Sequence, residues 1–175
     1  MSSIKVSAII VTRGDVDLGP VLAPIDADEI IIRRGNGGVW ERWEAARWAK
    51  HDVIYVQDDD CVVDFAGVAA AYDPAVVTCN MLTAHRGDYP DGIALVGWGS
   101  VFHASKLDVL QKWDRDEVFL RECDRVFTGL NALKLIDLGV KHLPHAYGVD
   151  RMAREARHGA DLAEIRRRIQ KVRNG

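Results

Sequence analysis

Three short runs of apolar, largely β-branched residues restrict this chain more than any other feature. Residues 5–12 read KVSAIIVT, residues 29–33 read EIIIR and residues 53–57 read VIYVQ. The first reads as a buried strand, and the other two, apolar through their middles, read as a second and a third strand. A short, proline-bounded helix fits within residues 16–23. Trp40, Trp43 and Arg47 fall at helical spacing, so residues 39–50 are predicted as a helix, ended by His51-Asp52. Strand, helix and strand in alternation imply a parallel sheet with crossover helices. Ligands of such sheets bind beyond the carboxyl ends of the strands. The loops that start at Arg13, Arg34 and Asp58 are therefore expected to share one edge.

The second half is less regular. A short helix is expected over 66–71, strands over 75–80 and 93–96, and an exposed loop over 83–91. Helices are expected over 106–113, 124–138 and 161–172, the second closed by Gly139 as a C-cap. With 175 residues and 48% hydrophobic content, the chain suits a single α/β domain. Residues 1–80 would form one part and 81–175 the other. A formal charge of -3 carries no general signal for nucleic acid. The basic residues concentrate between Arg151 and Arg173, which suits an anionic ligand or a solvated helix equally. Cys61, Cys79 and Cys123 are odd in number and form no Cys-x-x-Cys pair, so a reducing compartment is expected. No run has the length of a membrane span, and the start Met-Ser-Ser-Ile-Lys enters a strand rather than a signal peptide. A cytoplasmic protein is the resulting expectation.

Asp58-Asp59-Asp60 directly follows the third apolar run. Three adjacent carboxylates repel one another, and a cation would relieve that repulsion. In an extended segment Asp58 and Asp60 share a side and Asp59 takes the other. Carboxylate oxygens suit Mg²⁺ or Mn²⁺, which also bridge phosphate oxygens. A solvent-facing acidic turn would use the same residues; the position at a strand end of a βαβ pattern favours the metal.

This arrangement resembles the GT-A glycosyltransferases, which have a Rossmann-like nucleotide-binding half and a DxD motif after an early strand. The resemblance spans most of the chain and implies a mostly parallel central sheet flanked by helices. It also implies transfer of a sugar from a nucleotide-diphosphate sugar (a UDP- or GDP-sugar) to an acceptor hydroxyl, with Mn²⁺ or Mg²⁺ on Asp58 and Asp60. VTRGD resembles the nucleoside-binding opening, with Thr12, Arg13 and Asp15 as donor contacts. IIRRGNGG ends the second strand where the family contacts base or ribose; here Arg33 and Arg34 replace the usual acidic residue. Asp59 is assigned to the donor ribose or sugar. GWGSVFH resembles the Gly-rich acceptor segment, with Trp98, Gly99 and Ser100 as acceptor contacts. Arg121-Glu122-Cys123-Asp124 resembles the acidic motif that supplies the base in inverting members, Asp124 first and Glu122 second. Both residues would also suit the start of a helix. His158 resembles the late metal-binding histidine, with His142 and His145 as alternatives. Arg151, Arg154 and Arg157 would face the diphosphate.

Two other enzyme classes use comparable residues. Asp58-x-Asp60-x-Val62 fits the nucleophile motif of haloacid-dehalogenase-like phosphatases, although that motif normally follows a first strand. A nucleotidyltransferase would also use carboxylates and metal, but no Gly-rich, Lys-containing loop follows the first strand. A non-catalytic nucleotide-sugar-binding protein would keep the site without turnover. The short acceptor part suits completion by a partner subunit, as an oligomer, or a large acceptor such as a glycan, a protein or a modified nucleic acid.

Overall fold

The computed structural model describes residues 4–12, 14–34, 38–89, 92–143 and 149–174, with the backbone alone from 149 to 158. Strands β1 (Val6–Thr12), β2 (Glu29–Arg34) and β3 (Val53–Asp58) form where the three apolar runs lie. A two-residue strand, β4 (Cys61–Val62), follows the acidic triplet. Next come β5 (Val77–Asn80), β6 (Ser100–His103), β7 (Leu133–Ile136) and β8 (Lys141–His142). Six of these make one sheet in the order β2-β1-β3-β6-β5-β7, and β4 pairs with β8 in a separate ribbon. Strand β1 is parallel to both β2 and β3, and β5 is parallel to β7. β6 runs against its neighbours β3 and β5. The sheet is thus mostly parallel with one reversed strand.

The helices are α1 (Gly19–Leu22), α2 (Trp40–Ala46), α3 (Phe65–Ala70), α4 (Glu117–Leu130) and α5 (Val149–Asn174). Alternation along each strand divides the apolar side chains between two faces. Ile9, Ile54, Val56 and Phe102 join Trp43 of α2, Phe119 and Phe127 of α4, and Ile165 and Ile169 of α5. Ala8, Ile10, Tyr55 and Val101 join Val21, Phe65 and Val68 on the other face. Trp43 is the hub of the first cluster, its ring 4.3 Å from Phe127 and 6.0 Å from Phe102.

Several boundaries differ from expectation. Residues 93–96 form no strand, although Ile93, Ala94 and Val96 are buried; the Ala94 amide donates to Thr128 Oγ1 at 3.3 Å instead of to a ladder. The helix expected over 124–138 begins earlier and stops earlier. Asp116 caps α4 by accepting from the Phe119 amide at 2.8 Å. Asn131 leaves the helical conformation and its side chain donates to the Phe127 carbonyl at 2.9 Å, closing the helix. Leu133–Ile136 then becomes a strand, and Gly139 (φ +74°) serves the loop after it rather than a helix end. Arg121 to Asp124 accordingly lie within α4, where Glu122 departs from helical geometry (φ -115°, ψ 16°). The segments Thr83–Asp88 and Ala104–Leu110 are 3-10 turns.

The shared edge is present. Thr12 stands beside Arg34 and Val11 beside Asp58, so β1, β2 and β3 end together.

Candidate functional site

Asp58 ends β3, and its amide donates to the Gly97 carbonyl at 2.8 Å. Its carboxylate lies directly over the Gly97 Cα, where any Cβ would overlap it. One carboxylate oxygen accepts from Arg42 Nη2. Arg42 projects from α2 and is buried, and its Nη1 lies 3.5 Å from Asp124 Oδ2. Trp43 Nε1 donates to the other Asp124 oxygen at 2.9 Å. One guanidinium thus links the end of β3 to α4, joining two of the candidate residues.

A buried cation is costly unless paired. Burial opposes the charge on Arg42, but Asp124 and Asp58 outweigh it and hold the guanidinium more firmly protonated than usual. For Asp124 the balance falls the other way. Burial dominates, the attraction of Arg42 opposes it, and the nearby Asp58 charge adds to it, so the carboxyl is pushed up to about 6. The Asp124 side chain retains 21% of its surface in solvent, against 5% for Glu122. Glu122 forms an ion pair with Arg125 at 2.5 Å, and that guanidinium lies over the Tyr89 ring at 5.5 Å. Of the two acidic candidates, Asp124 is the more accessible.

Asp59 and Asp60 lie in a turn rather than an extended segment, so the alternation expected of the triplet does not apply to them. Gln57 anchors this turn from below, donating Nε2 to the Cys61 carbonyl at 2.7 Å while accepting from the Tyr55 hydroxyl. The Asp60 carbonyl accepts from the Leu143 amide at 2.7 Å. Strand pairing sets His142 opposite Cys61. The 141–143 segment is therefore tied to the acidic turn. The His142 and His85 rings approach Trp98 edge-on, at 5.2 and 5.3 Å.

On the acceptor-side segment, Trp98 is partly exposed and Ser100 is buried, its hydroxyl donating to the Val96 carbonyl at 3.0 Å. Gly99 adopts φ +90°, and a Cβ there would lie 2.9 Å from Val63 Cγ1. Asn80 Nδ2 binds the Trp98 and Gly139 carbonyls at 3.0 and 2.9 Å, fixing this segment to the loop after β7. On the donor side, Thr12 is buried and its hydroxyl accepts from the Gly14 amide at 2.9 Å. Asp15 and Arg34 are exposed, and the Arg34 side chain passes against Gly14. Arg33 Nε donates to Glu41 at 2.9 Å. Arg13 and His145 lie outside the described residues, as do the side chains of Arg151, Arg154, Arg157 and His158.

Arg42 and Asn80 were not singled out by the sequence, and Gly97 was read only as part of the Gly-rich segment, not as the seat of Asp58. In sequence, Arg42 reads as a polar residue on a helix, and its two partners are remote along the chain. The donor set at the turn consists of hard carboxylate oxygens, as Mg²⁺ and Mn²⁺ require. The Asp58 side chain keeps 37% of its surface in solvent, and its chemistry and that of the neighbouring Asp60 are of the type that binds such cations alongside phosphate oxygens and water. Among the described residues no group of three His, Cys, Asp or Glu side chains converges.

No protein-family model matches the sequence, and no curated protein matches it. The mostly parallel six-stranded sheet flanked by helices is a Rossmann-like fold of the GT-A type, as in solved structures that resemble it. A197 from STIV is similar, with a TM-score of 0.55 and 18% identity over 81% of this chain and 87% of that one. Glucosyl-3-phosphoglycerate synthase from Mycobacterium tuberculosis, in complex with Mg²⁺ and uridine diphosphate, has a TM-score of 0.52 and 12% identity, covering 93% and 79%. The same synthase with Mn²⁺, uridine diphosphate and glucosyl-3-phosphoglycerate also has a TM-score of 0.52 and 12% identity, covering 93% and 80%. At these identities the likeness is one of fold. Among the described residues no helix is long and apolar enough to cross a membrane.

Proposed function

We propose that this protein is a divalent-metal-dependent glycosyltransferase that moves a sugar from a nucleotide-diphosphate sugar to an acceptor hydroxyl with inversion. The observation that carries this reading is the placement of Asp124, partly open to solvent and linked through Arg42 to Asp58 at the end of β3, with burial raising its carboxyl pKa. A general base works best with a pKa near the working pH. Residues 1–80 supply the donor side and 81–175 the acceptor and base.

The donor lies over the ends of β1, β2 and β3, with Thr12, Arg13, Asp15, Arg33, Arg34 and Asp59 as its contacts. Asp60 and Asp58 would hold Mn²⁺ or Mg²⁺, with a late histidine (His158 or His145) as third ligand. When bound, the metal offsets the charge that builds on the departing diphosphate; Arg151, Arg154 and Arg157 add to that effect. Asp124 accepts the acceptor's hydroxyl proton as the oxygen attacks the anomeric carbon. The bond from that carbon to the diphosphate breaks on the opposite face. Arg42 touches neither substrate; it is a positioning residue that holds Asp124 and Asp58 in place. The pairing of the Asp58 carboxylate with Arg42 weighs against a phosphatase in which Asp58 is the nucleophile.

A thermal-shift series with Mn²⁺ and each nucleoside diphosphate tests the reading. At least one nucleotide should raise Tm only when metal is present, since a ligand at a hundred times its Kd adds about 2.7 kcal/mol. Asp60→Ala should lose that shift. Asp124→Asn should keep it while transfer falls roughly 10²- to 10⁴-fold. Stabilisation by no nucleotide under any metal would sink the proposal.

A further inference from the structure

β2 is the outermost strand of the sheet, and among the described residues no strand pairs with its outer edge. Natural edges are blunted by charged side chains, lysine above all, by proline or by short length. This one is six residues long without proline or lysine, and its charges, Glu29, Arg33 and Arg34, stand at its two ends around three isoleucines. Its Ile30 and Ile32 are 42% and 44% exposed on one face. Two further exposed side chains gather at its N-terminal end. Ile4 (59%) lies two residues before Val6, whose amide donates to Asp28. Trp48 (85%) lies two residues before Lys50, whose amide donates to Glu29. Among the described residues, two of the six large exposed apolar side chains thus lie on this strand and two more lie in segments hydrogen-bonded to its start, the others being Leu138 and Val172.

We infer that this edge pairs with the β2 edge of a second copy of the chain, antiparallel about a two-fold axis through Ile31. Side chains directly opposite in an antiparallel pair lie on the same face. A two-fold axis normal to the sheet keeps each face continuous, so each residue must oppose one an even number of places away; an odd register would turn one copy's faces over. Centred on Ile31, Ile30 of each copy meets Ile32 of the other, and Glu29 of each meets Arg33 of the other. Centred on Ile30, Glu29 would face Ile31. Centred on Ile32, two isoleucines would face Arg33 and Arg34. The Ile31 register alone joins both apolar pairs and both opposite charges. The groups are able to pair: Glu29 uses Oε2 for Ser7 and Lys50, which leaves Oε1 for a guanidinium. Arg33 gives Nε to Glu41, and its fork carries further N–H donors.

The two copies would make one continuous sheet whose carboxyl edges open to opposite sides. The pairing engages Arg33, one of the proposed donor contacts, but its test reads mass and cross-linking and does not depend on the proposed chemistry.

Sedimentation equilibrium of the full chain should give about twice the 19.5 kDa chain mass. Ile32→Lys sets an ammonium against Ile30 and should halve that mass without changing the far-ultraviolet circular dichroism, because Ile32 is exposed in the single chain. For the register, Ile30→Cys and Ile32→Cys chains are mixed, allowed to exchange and oxidised. The mixture should yield a disulfide-linked pair on a non-reducing gel, and each variant alone far less, since its own cysteines lie diagonally. A wild-type chain that sediments as one copy at every concentration overturns the inference and leaves the edge for another protein's strand. An Ile32→Lys chain that keeps the doubled mass overturns it too, as does equal cross-linking of the separate variants.

Discussion

Arg42 shows what one residue can hide from a sequence. The acidic candidates were legible because carboxylates at a strand end and near a helix carry their own signal. Arg42 carries none: it lies one position before Trp43, and its partner Asp58 is sixteen residues away. Trp43 and Asp124 are separated by 81 residues. Only the folded chain brings them together. The expectation that a cation neutralises the triplet was physically sound, yet a guanidinium already serves Asp58. The Asp124 environment has a thermodynamic consequence that can be measured without substrate. Its folded pKa of about 6 lies above the roughly 3.9 of an unfolded Asp, so between these values the native state binds the proton more tightly. Stability from this group is therefore greatest in acid and falls as pH rises through the window, by up to about 3 kcal/mol. The stability of the metal-free wild type relative to Asp124→Asn should decline from about pH 4 to about pH 6 and then level. Urea titrations at several pH values check this, and a difference that rises with pH would refute the assignment.

At the scale of elements, β1 and β3 were readable because burial on both faces leaves unbroken apolar runs; β2 carries the same kind of run although Ile30 and Ile32 are exposed at the sheet edge. The helix expected over 124–138 was misplaced because its apolar spacing continues into β7, where Leu133, Leu135 and Ile136 suit either period. The decision is made by side-chain hydrogen bonds, at Asp116 for the start and Asn131 for the end. Asp116 does more than cap α4, since its second oxygen accepts from Arg168 of α5 at 2.7 Å. The Phe119 amide, and then Arg168, hold its carboxyl below the ordinary value of 3.8. A lowered acid pKa contributes stability that is present above the unfolded value and lost as pH falls through the folded one. Asp116→Ala should cost about 1–2 kcal/mol near neutrality. Asp116→Asn, which still caps, should cost less than about 1 kcal/mol, the worth of a surface ion pair. The Ala penalty should vanish well below pH 4. Shifts in urea midpoint at constant slope report each value.

For the whole molecule, the question is whether the basic C-terminal helix displays its charges or is built into the fold. Composition alone allowed an anionic ligand or a solvated face. Over 159–174 the structure ties two of its cations to α4: Arg168 binds Asp116, and Arg173 Nη2 donates to the Gly129 carbonyl at 2.5 Å. Arg121 of α4 returns the contact to Asp161 at 2.8 Å. Beneath these bonds Ile165 and Ile169 are buried in the same cluster as Trp43 and Phe127. Gly129 makes the approach possible, because a Cβ there would lie 2.8 Å from Ile169 Cδ1. The helix thus completes the core on one face of the sheet. Ile169→Ala should cost about 2–4 kcal/mol, the transfer free energy plus the cavity left behind. The loss should appear in a single transition, with the fluorescence of buried Trp43 and the helical circular dichroism moving together. A helix that merely lay on the surface would melt first, and circular dichroism would then lead fluorescence in Ile169→Ala.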